Sequence, residues 1–217
     1  MDIYEAIEKR RTVRTFTRGL PEDELRKLLL AGTKAPSGSN AQPWEFIIVD
    51  DPKIIAKLAE CKYRQTLKMA LSDDPKVLEI IRGKKYPSSI DISITTQRAL
   101  AQKNAYRNST VLAVCNKKEQ KNQRKAWMNI ENIASTWMCI ENMALAATAD
   151  GYGIVTSIFR EEDKVAAEKL LGIPEDRELA TVMLIGVQGD VPGKREQTAG
   201  PDFSWLYRNK FGSSAGA

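Results

Sequence analysis

The sequence predicts an α+β fold, a central mixed sheet of few strands with many helices around it. Segments with apolar residues at helical spacing, several of them opened by an acid or a proline, fill most of the chain. Short runs rich in β-branched residues, "EFIIVD", "TVLAVC" and "ATVMLIGVQ", stand well apart among them. The last run is apolar almost without interruption, the pattern of a strand covered on both faces.

Asp2 and Glu5 form a D-x-x-E capping signal ahead of Ile3, Ala6 and Ile7, so a helix opens the chain and ends near Arg10. "TVRTF" then reads as a short extended piece. Pro21 starts a second helix, with Leu25, Leu28 and Leu29 as its apolar face, which ends before Pro36. The stretch "APSGSNAQPWEFIIVD", Ala35 to Asp50, begins as a polar loop far longer than a tight turn needs and ends as a buried strand. Asp51-Pro52 and Asp74-Pro75 are further cap-plus-proline helix starts. Residues 83–108 carry mixed signals: "GKKYPSSIDISITTQ" alternates weakly, "RALAQKNAYRNS" suits a helix, and the sequence leaves open whether the region covers a site. Thr110 to Cys115 is a strand. The longest helix runs from about Lys125 to Asp150 with apolar residues on more than one face, and Gly151 and Gly153 end it. "IVTSIF" is extended, "EEDKVAAEKLLGIP" is a helix closed by Gly172 and Pro174, and the last strand follows.

Residues 1–212 read as a single domain. The tail from 189 to 212 ends in Phe203, Trp205, Leu206, Tyr207 and Phe211 without a core of its own, so it is expected to pack on a partner subunit. Residues 213–217 read as disordered.

Composition narrows the chemistry. With 217 residues, 42% hydrophobic and 28% charged, the chain has the make-up of an ordinary globular domain with a sizeable core. No apolar run is long enough for a membrane span, and the N-terminus lacks the pattern of a signal peptide, so the expectation is a cytoplasmic protein without membrane partners. Cys61, Cys115 and Cys139 offer neither a disulfide framework nor a metal-ligand spacing; three reduced, mostly buried thiols are expected. There is no histidine, which removes Ser-His-Asp and Cys-His catalysis, histidine metal sites and histidine bases. An enzyme built this way needs a cofactor to carry its chemistry. The net charge of +5 suits an anionic ligand. The densest basic run, Asn116 to Lys125, has no interleaved aromatics and reads as a solvated turn and helix start rather than a nucleic-acid surface.

Two clusters carry candidate chemistry. In "RRTVR", alternation sends Thr12 and Arg14 to one face and Val13 to the other. With Arg10 and Arg11 beside them, these groups suit a phosphate, which an arginine fork meets bidentately, or else a solvated helix end. In the long loop, Ser37, Gly38 and Ser39 offer backbone amides and hydroxyls, while Asn40 and Gln42 each carry a donor and an acceptor on one planar group. That inventory can read the edge of a heterocycle or simply connect two elements.

Together the stretches resemble a family. "RRTVRTF" followed by "LLLAGTKAPSGSNAQPWEFIIVD" is similar to the N-terminal signature of the nitroreductase family of FMN-dependent oxidoreductases. "LAATADGYGIVTSIF" and "LIGVQGDVPGKRE" resemble its A-x-x-x-G-x-G segment and its last strand with a basic tail. The resemblance implies a nitroreductase-like fold in an intertwined homodimer with FMN at the subunit interface. It implies that Arg10, Arg11, Thr12 and Arg14 hold the phosphate and ribityl chain, and that Pro36, Ser37, Ser39, Asn40 and Gln42 approach the flavin from the opposite subunit. The segment with Gly153, Ile154, Thr156 and Ser157 would pass the ring, and Lys194 or Arg195 would supply late phosphate contacts. Val155, Ile158, Phe159 and Arg160 stand where the common version is glycine-rich, and are residues able to crowd the ring.

The expected activity is hydride transfer from NAD(P)H through FMN to a small-molecule oxidant, a nitroaromatic or quinone, with no dinucleotide fingerprint needed for a visiting donor. The rival expectations are a flavin-binding storage or sensor protein without turnover, and a same-fold enzyme with a specialised oxidant, such as a dehalogenase or a flavin-fragmenting enzyme.

Overall fold

The computed structural model describes residues 1–70, 92–119, 126–190 and 206–211. Its helices are α1 (Ile3–Lys9), α2 (Glu22–Gly32), α3 (Pro52–Ala70), α4 (Ile92–Ala105), α5 (Ala126–Ala149) and α6 (Glu161–Leu171). Its strands are β1 (Phe16–Arg18), β2 (Trp44–Val49), β3 (Thr110–Lys117), β4 (Tyr152–Ser157) and β5 (Arg177–Gln188). Among the described residues no helix is long and apolar enough to cross a membrane.

The helix ends follow local chemistry. The Asp2 carboxylate accepts the Glu5 amide at 2.9 Å, and Asp51 does the same for Lys53 at 2.7 Å, each satisfying an amide that has no partner within its helix. Pro21 is the N-cap of α2, with Glu22, Asp23 and Glu24 against the positive end of the helix dipole. Gly151 and Gly172 close α5 and α6 with φ of 84° and 66°, a left-handed turn that costs other residues.

The sheet has the order β1-β5-β3-β2, with β4 also paired to β5. Among the described residues every strand pair is antiparallel, and the mixed character expected of the sheet enters only through an isolated parallel bridge, Thr12 with Ile154. Alternation divides the core into two layers. Val111, Ala113, Cys115, Val155 and Leu184 face one side with residues of α3, α4 and α6. Leu112, Val114, Ile154, Met183 and Ile185 face the other with residues of α2 and α5. Strands β3 and β5 are thus sandwiched, as continuous apolar runs require.

The structure corrects the sequence reading in three places. Among the described residues β2 is an edge strand rather than a buried one: only β3 pairs with it, and Trp44 and Val49 are buried but Ile48 is exposed. Gly153 does not end α5; it lies buried inside β4, with Val13 packed where a side chain would stand. Residues 92–105 of the ambiguous region are helical and pack on α3. The start at Asp74-Pro75, residues 83–91, and most of the tail, with Phe203 and Trp205, lie outside the described residues.

Candidate functional site

The strip from Arg10 to Arg14 is anchored at its middle. The Val13 amide donates to the Ile154 carbonyl at 2.9 Å, and Thr12 bridges Ile154 in parallel. Val13 enters the core while Thr12 and Arg14 are exposed, so the alternation read from sequence holds. Arg10 and Arg11 are half-buried at the end of α1, and Arg10 Nε lies 3.5 Å from the Glu141 carboxylate on α5.

This brings together two of the expected motifs. The bridge seats the strip against the middle of β4, with its Arg10 end toward α5; beyond Arg14 the chain passes to the end of β5, where the Gly189 amide donates to the Thr15 carbonyl at 2.9 Å and Phe16 pairs with Gln188. Gly153 makes the approach feasible. A Cβ there would stand 2.7 Å from Val13 Cγ1, closer than real contacts allow.

Along β4 the faces alternate, and half of the expected ring segment turns inward. Ser157 is buried, and its Oγ accepts from Gln102 Nε2 of α4 at 2.6 Å, so it does not present its hydroxyl to a ligand beside the strip. Ile154 is likewise buried toward α5, leaving its backbone for the bridge, and Thr156 is half-buried. Val155 and Phe159 are both buried in the α3 side of the core. They do not crowd the space over the strip; of the residues expected to do so, only Ile158 and Arg160 are exposed.

The long loop forms a 3₁₀ turn, Gly38–Asn40. The Gln42 amide donates to Ser37 Oγ at 3.0 Å, and Gln42 Nε2 donates to Asn40 Oδ1 at 3.2 Å. Ser39, Asn40 and Gln42 have φ of 49°, 57° and 45°, left-handed backbone that costs about 1–2 kcal/mol for each ordinary L-residue. Pro36, Ser39, Asn40 and Gln42 are exposed and Ser37 is half-buried. The loop docks on α5, where the Gly38 amide meets Ser135 Oγ at 3.4 Å and a Cβ on Gly38 would strike Glu131. Arg10 reaches α5 at Glu141, six to ten residues further on, about 9–15 Å along the helix axis. Within one chain the two motifs therefore occupy separate stations on α5. Lys194 and Arg195 lie outside the described residues.

One residue that sequence reasoning missed stands at the exit of β4. Lys62, on α3, donates from Nζ to the Ile158 carbonyl at 2.7 Å and lies 5.9 Å from the centre of the Phe159 ring. Burial, followed by the positive charges of Arg160 and Arg14, lowers its pKa to about 8. Buried Gln65 holds the same turn, donating to the Ile158 carbonyl at 3.2 Å and accepting from the Arg160 amide at 2.8 Å. No motif marks Lys62, because its place depends on how α3 packs.

Two of the three thiols, Cys115 and Cys139, are buried in the core. All three cysteines are free; burial pushes Cys115 up to about 11 and Cys139 up to about 12, so both stay protonated. Among the described residues no group of acids and cysteines could hold a metal ion.

An arginine-bearing strip is thus laid along the edge of a sheet strand in a three-layer α+β frame. The profile of the Nitroreductase family matches residues 7–188, and the chain belongs to that family. It is 27% identical to an iodotyrosine deiodinase of Thermotoga neapolitana over 87% of this chain and 89% of that one. An iodotyrosine deiodinase of Haliscomenobacter hydrossis is 35% identical, but only over 30% of this chain and 29% of its own. An NADH dehydrogenase of Thermus thermophilus is 26% identical over 86% of each chain. Among solved structures, an oxidized iodotyrosine deiodinase bound to FMN and 3-iodo-L-tyrosine has a TM-score of 0.70 at 24% identity, covering 90% of this chain and 95% of that one, a likeness of fold.

Proposed function

We propose that this chain is an FMN-dependent oxidoreductase that takes a hydride from NAD(P)H and passes reducing equivalents to a small-molecule oxidant of the nitroaromatic or quinone kind. The observation that carries the reading is the parallel seating of Arg10–Arg14 on β4 through the Thr12–Ile154 bridge. The donor set fits the cofactor: guanidinium groups and a hydroxyl along the strip for a phosphate, and the polar exit of β4, where Lys62 meets the Ile158 carbonyl, for a heterocycle. FMN, when bound, supplies the hydride chemistry, which no side chain here could perform. The protein's part is to hold the phosphate with Arg10 and Thr12, align the ring along β4, and keep Val155 and Phe159 out of its way by burying them. The test is an absorption spectrum of the purified protein, release of the flavin by denaturation, and anaerobic addition of NADH or NADPH. Recovered FMN that NAD(P)H bleaches and a nitroaromatic or quinone re-oxidises supports the reading. FAD, no flavin after reconstitution, or a flavin that neither donor reduces overturns it, the last in favour of storage or sensing.

A second reading is reductive dehalogenation, favoured by the deiodinase of Thermotoga neapolitana as a relative along most of the chain. With 3-iodo-L-tyrosine as the oxidant of the reduced protein, release of iodide would select it.

The site would be completed by a second copy of the chain. Trp127, Ile130, Ala134 and Met138 recur on α5 at steps of three and four residues, hence in one stripe, and all are exposed. Ile3, Tyr4 and Ile7 of α1, which packs on α5, are exposed as well, with Ile130 at 70% and Tyr4 at 81%. Exposed apolar residues so clustered on two packed helices suit a face that another protein surface covers. A symmetry mate docked on it would bring the loop at Gly38–Gln42 to its partner's strip and offer a surface to the exposed Tyr207 and Phe211 of the tail. An obligate interface of more than ~2,000 Å² is expected, with no stable monomer at micromolar concentration. Sedimentation should give twice the 24.3 kDa chain mass; a yellow, active species at 24.3 kDa would sink both the dimer and the shared site.

A further inference from the structure

We propose that Gln65 and Gln102 are positioning residues, which fix the end of β4 and the turn behind it, Ser157 to Arg160, so that this segment orients the flavin ring. The inference rests on the flavin reading above and adds two residues from α3 and α4, helices that no motif of the site includes.

The two ends of the ring segment are held by different parts of the chain. At Ile154 the strip bridges β4 through Thr12 and the Val13 amide. The ladder with β5 runs from Tyr152 to Ser157 and stops there. Past its end the backbone groups of the turn need partners of another kind. The side-chain amide of Gln65 serves two of them. Its Nε2 donates to the Ile158 carbonyl at 3.2 Å, and its Oε1 accepts from the Arg160 amide at 2.8 Å. Lys62 Nζ shares that carbonyl at 2.7 Å. One residue earlier, Gln102 Nε2 donates to the buried Ser157 Oγ at 2.6 Å. Gln65 stands on α3 and Gln102 on α4, and these helices pack on each other, so one unit sets the whole turn.

The turn is held more firmly than a connection between two elements requires. Gln65 is 5% exposed, and a buried amide is costly unless both its halves are bonded, as they are here. Between its two bonds Phe159 turns its ring into the α3 side of the core. The outer face is left to the backbone and to the exposed Ile158 and Arg160. The next residue, Glu161, opens α6 with φ of 48°, left-handed backbone that costs an ordinary L-residue. Such a conformation persists where its surroundings over-determine it, and it is concentrated where the chain must hold a ligand. The glutamines supply that determination from the side away from the outer face.

The test compares wild type with Gln65→Met and Gln102→Met, which keep most of the volume and lose the bonds. It reads the visible circular dichroism and the dissociation constants of bound FMN and of bound riboflavin, which lacks the phosphate. Hydrogen exchange of the Arg160 amide in the apoprotein shows whether the turn has loosened. Gln65→Met is expected to speed that exchange by up to about ten-fold, the size of one hydrogen bond. Both variants should change the visible band with either flavin and loosen both flavins by up to about ten-fold. Gly172→Ala, at the far end of α6, is the control for lost stability alone. Its φ of 66° makes a side chain costly, yet nothing lies within 4 Å of its Cβ position, so band and affinities should stay those of wild type. If Gln65→Met does not fold, Gln65→Glu, which keeps an acceptor for the Arg160 amide, takes its place, and Gln102→Met is read in either case. A wild-type visible band in either glutamine variant overturns the proposal, because such a residue only stabilises the turn. So does a change seen with FMN and not with riboflavin, which would put the effect at the phosphate. So does the same change in Gly172→Ala. Failure of the wild type to bind any flavin is a separate result, and strikes the reading on which the proposal stands.

Discussion

Arg14→Ala is expected to loosen FMN by about ten- to a hundred-fold while leaving the fold intact, since a charge-assisted contact is worth about 1.5–3 kcal/mol. Arg14 lies on the exposed face of a strip whose inward residue, Val13, does the packing. The truncation therefore removes a charge and no core contact, and stability should stay within about 0.5 kcal/mol of wild type. A smaller effect works in the opposite direction. The charge of Arg14 is one cause of the lowered Lys62 pKa, so its removal leaves the Lys62 ammonium more firmly protonated and a slightly better anion partner. The loss of a direct contact outweighs this relief, because Arg14 is the smallest of the three effects lowering that pKa, behind burial and Arg160. Titration of the apoprotein with FMN decides the matter, and an unchanged dissociation constant would return Arg14 to a solvated surface.

The parts of the fold that were legible in the sequence have strong local causes. α1 announces itself through Asp2, whose carboxylate accepts the Glu5 amide, and α6 through its left-handed Gly172, since each satisfies a backbone group that the helix leaves over. β3 and β5 were legible because both faces are buried and every position must be apolar. α4 was less so: of its residues whose burial is described, the buried ones are Ala99 and Ala105, which mark no stripe of large apolar residues. β2 was misread because the same "FIIV" run serves an edge strand when only one neighbour pairs with it.

The site divides in the same way. Thr12 and Arg14 were legible because alternation around a single buried residue, Val13, fixes their face. The face of Ser157 was not legible, because a strand sends alternate side chains to opposite faces, and the hydrogen bond from Gln102 shows which face its hydroxyl took. Lys62 could not be found at all. It sits 96 residues before its carbonyl partner, and only the packing of α3 against α6 brings the two together.

Gly153 gives the sharpest expected coupling of fold to site. A Cβ at this position would lie 2.7 Å from Val13 Cγ1, 2.8 Å from Gln188 Cγ and 2.9 Å from Val13 Cβ. Gln188 is a flexible side chain and can move. Val13 cannot easily do so, being 1% exposed within the core and tied through its amide to the Ile154 carbonyl. Gly153→Val can therefore be accommodated only by moving the strip away from β4, the kind of overpacking that costs about 1–3 kcal/mol. The displacement carries Thr12 and Arg14 with it, so FMN binding should fall by at least as much as in Arg14→Ala, although no ligand contact has been deleted. Gly151→Ala is the control two residues away. Its φ of 84° makes a side chain costly, by about 1 kcal/mol, yet nothing lies within 4 Å of its Cβ position, so stability should drop while FMN affinity holds. Trimming the obstacle should reverse the first effect. In Gly153→Ala combined with Val13→Ala, the two small side chains share the space one valine filled, and FMN affinity should exceed that of Gly153→Ala alone, a coupling of contacting residues. Wild-type FMN affinity in Gly153→Val would mean that the seating of the strip on β4 does not position the cofactor groups.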